Sequence, residues 1–319
     1  AHDTRKGLAL FLLAAAQFVV VLDASIVNVA LPSMGRDLEI APENLSWVIN
    51  AYALVFGGFL LLGGRTADLL GRRRLFMIGL TLFGLASLAG GFAQSEAQLI
   101  AARALQGLGG ALLSPAALSI ITTLFAEGAE RNKALGVWGA VAGSGGAVGV
   151  LLGGVLTDQL GWEWVLFVNV PICLGLVAMI PGVLPESRTD GHRHFDAAGA
   201  ITVTAGVALL VYALVDAPSA GWGSTQTIGL GALALAILGS FVLIESRSKA
   251  PLMPFGIFRN RTLTGANVTA ILVAMSLFSM FYFITLYMQF VLGYDALKAG
   301  LAYLPLAFGI IFSAGIASA

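Results

Sequence analysis

Charge is what this sequence has least of. Only 11% of its 319 residues are Asp, Glu, Lys or Arg, while 58% are apolar and the mean hydropathy is +0.91, so a soluble domain built from it would have too little polar surface to meet water. Hydrocarbon is the solvent that suits it. Cysteine is nearly absent: Cys173 stands alone in an apolar run, which excludes an internal disulfide and any thiol cluster for metal or redox chemistry. His192 and His194 have no third ligand near them and read as part of a solvated loop, with no metal expected. The 17 basic residues equal the 17 acidic ones, so bulk charge points to no nucleic-acid partner. Missing too are H-E-x-x-H, G-x-S-x-G and a Walker A loop, which argues against an enzyme and an ATP-driven pump. No gap between apolar runs exceeds about 20 residues, which leaves no room for the signalling domain of a membrane sensor.

What the chain does have is apolar blocks of about 20 residues, each long enough at 1.5 Å per residue to cross about 30 Å of hydrocarbon. Ten spans are predicted: Gly7 to Leu31, Leu45 to Gly64, Leu75 to Ala93, Gln98 to Phe125, Ala134 to Thr157, Trp164 to Leu184, Ala197 to Val215, Thr227 to Ile244, Thr262 to Leu292 and Ala299 to Ala319. The first apolar segment is followed by no small-residue cleavage site and reads as a retained span. The tenth ends without a flanking charge, as if further chain should follow it. One set of alternate gaps carries Arg5, Lys6, Arg65, Arg72, Arg73, Arg74, Arg131, Lys133, Arg188, Arg193, Arg247, Lys249, Arg259 and Arg261; the other carries only Arg36 and Lys298. Basic side chains resist translocation, so this alternation puts the N-terminus in the cytoplasm of a multi-pass protein of the inner (cytoplasmic) membrane.

Ionisable groups inside a bilayer cost about 2.5 to 3.5 kcal/mol each on insertion scales, so those that are kept point to function. Two lie well inside: Asp23 in the first span and Arg103 in the fourth. Counting inward from Leu31 and from Glu96 puts both about 10 to 12 Å below the outer surface. At one depth they can neutralise each other as a structural ion pair, or the carboxylate can take a proton, as a proton-coupled carrier requires. The face around Arg103 reads Gln106, Gly107, Gly110 and Ser114, small or polar residues that belong against other helices. The fifth span has a denser stripe, Gly139, Gly143, Gly145, Gly149 and Gly153 with Gly146 and Gly154 beside it, which permits close helix packing along nearly its whole length. After the second span, Gly64-Arg65-Thr66-Ala67-Asp68-Leu69-Leu70-Gly71-Arg72-Arg73-Arg74 reads as a short cytoplasmic turn pairing a carboxylate with arginines.

These segments resemble the major facilitator superfamily, and within it the fourteen-span drug:proton antiporter branch. The turn after span two is similar to the superfamily's G-x-L-A-D-R-x-G-R-R, with Gly64, Asp68, Gly71, Arg72 and Arg73 in place, Thr66 for the usual Leu and Leu69 for the usual basic residue. Leu22-Asp23-Ala24-Ser25-Ile26-Val27-Asn28-Val29-Ala30-Leu31-Pro32 resembles the branch's L-D-x-T-I-V-N-V-A-L-P, and Arg103-Ala104-Leu105-Gln106-Gly107 its R-x-x-Q-G. Gly145, Gly149, Gly153 and Gly154 match the antiporter motif G-x-x-x-G-P-x-x-G-G, with Val150 in place of proline. Trp162-Glu163-Trp164 through Asn169-Val170-Pro171 resembles G-W-R-W…N-V-P.

The resemblance implies an all-α integral membrane bundle: a six-helix half at 1–184, a cytoplasmic loop at 185–196, an inserted helix pair at 197–245, a second loop at 246–261, and the first two helices of the other half at 262–319. It implies a monomeric exporter of hydrophobic, cationic, drug-like molecules in exchange for protons, working by alternating access, with the proton gradient as driving force and no cofactor. A proton-linked uptake symporter of the same fold is the alternative. Asp23 and Arg103 would carry proton coupling, Gly64, Asp68, Gly71, Arg72 and Arg73 would gate the cytoplasmic side, and Gly145, Gly149, Gly153 and Gly154 would pack the antiporter helix. Asn28, Trp47, Asn50, Tyr52, Gln106, Tyr282, Tyr287 and Gln289 are candidates for the substrate cavity, though each could serve as ordinary packing or as an interfacial anchor.

Overall fold

A computed structural model describes residues 2–187, 197–248, 251–306 and 308–309. The described chain is helical, in the order α1 (His2–Asp37), α2 (Trp47–Leu70), α3 (Arg72–Gly91), α4 (Glu96–Leu124), α5 (Ala129–Gln159), α6 (Trp164–Phe167), α7 (Asn169–Val183), α8 (Ala197–Ala220), α9 (Thr225–Arg247), α10 (Arg261–Leu286) and α11 (Ala296–Ala302). A 3₁₀ turn at Phe255–Arg259 precedes α10, and a π turn at Tyr287–Val291 follows it. Among the described residues nine helical segments are long and apolar enough to cross a membrane, α6 and α7 counting as one segment from Trp164 to Val183. The tenth expected span is described only as the shorter apolar helix Ala296–Leu306, and the rest of it lies outside the described residues. So do 188–196, most of the expected first loop, with His192 and His194.

Local chemistry sets several boundaries. Ser95 accepts from the Gln98 backbone N–H while the Gln98 side chain accepts from Gln94 N, which starts α4 two residues before the expected Gln98. Asn260 Oδ1 accepts from the N–H groups of Thr262 and Leu263 and so opens α10. In the sixth span Pro171 lies in the first turn of α7, where its missing N–H costs no helical hydrogen bond, and the chain breaks at Val168 between α6 and α7.

The segment expected to be a turn after span two is mostly helix. α2 runs through Gly64 and Asp68 to Leu70, and only Gly71, at φ +109°, separates it from α3. A side chain is excluded there twice over: that φ disfavours L-residues, and a Cβ would stand 2.8 Å from Glu186 Oε1.

The tightest packing joins α4 to α2 and α3, and α1 to α5. Glycines permit it. A Cβ on Gly79 would meet Gly109 O at 2.8 Å across the α3–α4 crossing, and one on Gly153 would meet Ile26 O at 2.9 Å across the α1–α5 crossing. The α5 stripe is shorter than expected: Gly145, Gly149 and Gly153 meet α1, whereas Gly139 and Gly146 face open space. Gly154 turns the other way, toward Ala296 O of α11, and there Gly300 packs against Val150 O. The α8–α9 pair is held to α2 through α8: Thr204 Oγ1 donates to Gly58 O at 2.6 Å, and the Tyr212 and Trp47 rings lie 5.8 Å apart. Val268, Ile271, Leu272, Val273 and Met275 of α10 are exposed, a surface suited to hydrocarbon and not to water.

Candidate functional site

The largest fully buried side chain in the described structure is a charged one, Arg103 on α4. Its Nη1 lies 2.5 Å from Asp23 Oδ2 of α1, and the two residues are 1% and 0% exposed. Eighty residues apart in sequence, they are one ion pair in space. Nη1 also donates to Gln106 Oε1 at 2.5 Å, Nε donates to Val48 O of α2 at 3.1 Å, and the guanidinium carbon sits 4.5 Å from the centre of the Tyr52 ring. The charge is therefore held by three helices.

Asp23 is equally constrained. Its Oδ1 accepts from Gln106 Nε2 at 2.7 Å and from Asn169 Nδ2 at 2.8 Å. Both amides also donate to Ser87 Oγ of α3, at 3.2 and 3.0 Å, and that hydroxyl donates to Leu166 O of α6 at 2.7 Å. Five helical segments thus converge on a carboxylate in the interior. Such a network can hold a charge away from water without leaving it uncompensated, and it can respond as a unit when that charge is lost.

Sequence reasoning singled out Asp23, Arg103 and Gln106, but placed Gln106 among the cavity candidates, whereas it is buried in the Asp23 cluster. It quoted Asn169 only as part of a motif and passed over Ser87. A polar side chain two residues before a proline in an apolar span was the available signal for Asn169; Ser87 had none.

Most of the residues expected to gate the cytoplasmic side form a second cluster at the Gly71 junction. Asp68 Oδ1 accepts from Arg72 Nη2 at 3.0 Å and Nε at 3.3 Å. Arg73 turns elsewhere, donating from Nη1 to Leu184 O at 3.2 Å, with its Nε 3.7 Å from Glu186 Oε2. Glu186, which follows α7, accepts from the backbone N–H groups of Arg73 and Arg74 at 3.1 and 3.2 Å, so a carboxylate caps the first turn of α3. Asp68 and Arg73 therefore do not share one pairing, and Glu186 is the acidic partner that sequence reasoning missed. Gly64 lies within α2 against Pro115 of α4.

The other cavity candidates are not gathered in one place. Asn28 is buried and turned back on its own helix, with Nδ2 donating to Ala24 O. Tyr52 is the platform under Arg103, and its buried hydroxyl has no partner among the described residues. Trp47 faces Tyr212, Asn50 is half-buried, Tyr282 packs against the cluster around Ile26, and Tyr287 is exposed. Gln289 donates to Val29 O at 2.9 Å and borders a cleft of about 420 Å³ with Ser33, Arg36, Asp158 and Asp295. No group of three metal-ligating side chains occurs among the described residues.

The family model described as the Major Facilitator Superfamily matches residues 13–319. The puromycin resistance protein of Streptomyces alboniger is 45% identical over 318 residues, covering 99% of this chain and 63% of that protein. The cephamycin export protein CmcT of Amycolatopsis lactamdurans is 46% identical over 300 residues, covering 93% of this chain and 62% of that protein. The chain thus spans rather less than two thirds of the length of these curated relatives. A crystal structure of a peptide transporter, POT, in complex with sulfate superposes with a TM-score of 0.56 at 18% identity, covering 76% of this chain and 53% of that one, a likeness of fold alone.

Proposed function

The chain belongs to the Major Facilitator Superfamily, and from that premise we propose that it serves proton-coupled export of hydrophobic, cationic, drug-like compounds by alternating access. The observation that carries this reading is the Asp23–Arg103 pair, an ion pair wholly enclosed by helices and tied to three further polar side chains. A structural pair of this kind stabilises little beyond what well-packed apolar residues would, so its retention in the bundle interior points to a charge that changes during the cycle. In the proposed step Asp23 accepts a proton from the outer side, which cancels its charge and frees Arg103 from its partner. The bundle halves then rock with a different balance of states, and the proton leaves to the cytoplasm as substrate takes its turn.

Export is preferred to uptake because the two relatives described above are named for antibiotic resistance and export. The six spans up to Val183 form one bundle in this reading, α8 and α9 an inserted pair, and α10 and α11 the beginning of the opposing half. Lys6, Glu130, Arg73 and Glu186 lie at one end of the helices, where Lys6 Nζ and Glu130 pair at 2.6 Å, and we assign that end to the cytoplasm from the excess of basic residues.

The test is proton release on adding ethidium, a fluorescent cation, to the purified protein, paired with ethidium efflux driven by a pH gradient in cells. Wild type releases protons; Asp23→Asn releases none and loses driven efflux while ethidium still binds. Equal release from both would place the coupling proton elsewhere.

A further inference from the structure

Two amides donate to Asp23 Oδ1, and only one of them is free to do anything else. Gln106 donates through Nε2 while its Oε1 accepts from Arg103 Nη1. Turning that amide over would set its NH₂ against the guanidinium, donor to donor, so Arg103 locks it. Asn169 donates through Nδ2 in the same way, but its Oδ1 is buried and has no partner among the described residues, in a side chain that is 0% exposed. An unpartnered acceptor in the interior calls for a reason.

We propose that the side-chain amide of Asn169 is a two-way partner for Asp23: Nδ2 donates to the carboxylate, and after a half-turn about the Cβ–Cγ bond Oδ1 accepts from the carboxylic acid. This deepens the assignment of the coupling proton to Asp23 and rests on it. A protonated Asp23 carries an O–H that needs an acceptor, while every present neighbour of Oδ1 is a donor, as is the Arg103 nitrogen at Oδ2. Asn169 Oδ1 is a vacant acceptor on a side chain already bonded to that carboxylate oxygen. The exchange balances: the proton arrives on Oδ1, no bond other than the new O–H forms, and the amide reverses to receive it. Ser87 Oγ, which now accepts from Nδ2, can rotate its hydroxyl from Leu166 O to the turned Oδ1. Each orientation leaves one amide atom without a partner, and the charge on Asp23 selects between them.

The ionisable groups around Asp23 are few. Arg103 pairs with it, and Tyr52 of α2 and Cys173 of α7 are close enough to feel its charge. α3 contributes Ser87, and α5 meets this part of α1 through glycines, its charged residues Glu130, Arg131, Lys133 and Asp158 lying toward its ends. Tyr282 of α10 and Tyr303 after α11 belong to the clusters around Ile26 and Val29 farther along α1.

Infrared difference spectra of the purified protein between neutral and acid pH need no substrate and read the acid directly. Wild type is expected to show a carboxylic C=O band, absent in Asp23→Asn, that rises together with a change in the asparagine side-chain amide band, identified by isotope-labelled asparagine. Asn169→Leu removes one of three donors from the carboxylate and, with it, the acceptor proposed for the acid. Its acid band should therefore shift to the frequency of an O–H without a partner. An acid band at the wild-type frequency would mean that the acid does not donate to Asn169, which overturns the proposal and leaves the proton on Asp23. If Asn169→Leu does not fold, an asparagine amide band in wild type that is silent on acidification overturns it as well. Absence of any Asp23-dependent acid band overturns both this proposal and the proton assignment beneath it.

Discussion

The carboxylate of Glu186 and the backbone N–H of Arg73 stand 3.1 Å apart, joining the end of the sixth span to the first turn of the third. A second oxygen does the same for Arg74, and the backbone N–H of Arg72 donates to Ser187 O at 2.9 Å. The junction at Gly71 is thus clamped by a segment 110 residues and more away in sequence. Glu186→Ala should destabilise the protein by about 1 to 2 kcal/mol, the usual cost of losing a helix cap with a favourable charge, and Glu186→Gln by less because one acceptor oxygen remains. Thermal unfolding in detergent and hydrogen exchange at Arg73 and Arg74 measure it. A full-sized loss in the Gln variant would show that charge and not capping holds the junction.

Asp68 and Arg72 form a pair within one turn of chain, with side chains 34% and 14% exposed. Removing such a pair should cost at most about 1 kcal/mol of stability. If the pair belongs to the gate, Asp68→Asn unfolds at nearly the wild-type temperature yet exports ethidium several-fold more slowly. Normal export would reduce the pair to a topology anchor.

The glycines of α5 make a contrast within one helix. A Cβ at Gly149 would stand 2.8 Å from Leu22 O and press still harder on Ser25, whereas one at Gly139 meets nothing within 4 Å. Gly149→Ala must push α1 and α5 apart, and a loss of about 1 to 3 kcal/mol is expected. Gly139→Ala should be neutral or stabilising by up to about 1 kcal/mol, since it only restricts the unfolded chain and fills no space already taken. Thermal unfolding of the two variants side by side decides it.

These contrasts mark what could be read from sequence. The spans were legible because hydrocarbon imposes a length and a composition on each helix separately, so every apolar block declares itself without knowledge of its neighbours. Asp23 and Arg103 were legible for the same reason, as charges that the surrounding composition makes expensive. Partners are a different matter. Neither Ser87, in an ordinary position on α3, nor Glu186, in a stretch that reads as loop, carries any local sign that it will meet Asn169 or Arg73. Gly139 and Gly149 look alike in sequence and differ only in whether another helix passes. The motif after the second span read as a turn because its charges suggest water, while the backbone remains helical until Gly71 because nothing before that residue breaks it.

The Asp23–Arg103 pair permits a test that separates folding from function. Asp23→Asn leaves the guanidinium of Arg103 enclosed with only neutral acceptors, Gln106 Oε1 and Val48 O, and the face of Tyr52. Arg103→Gln leaves the carboxylate with only the amides of Gln106 and Asn169. Either single change strands a buried charge, and each should destabilise by about 3 to 5 kcal/mol. The double variant, Asp23→Asn with Arg103→Gln, strands none and keeps two amide-sized side chains in place of the pair. Its loss of stability should therefore be smaller than either single loss, a coupling visible in a double-mutant cycle of thermal unfolding. Proton-driven efflux should not return with stability, because asparagine has no proton to exchange at the pH of the cycle. Recovery of both would make the pair a structural element that any neutral polar pair can replace, and the coupling proton would have to be sought on another residue. Recovery of stability alone keeps the proton on Asp23 and shows that Arg103 serves to make its charge tolerable in the bundle interior.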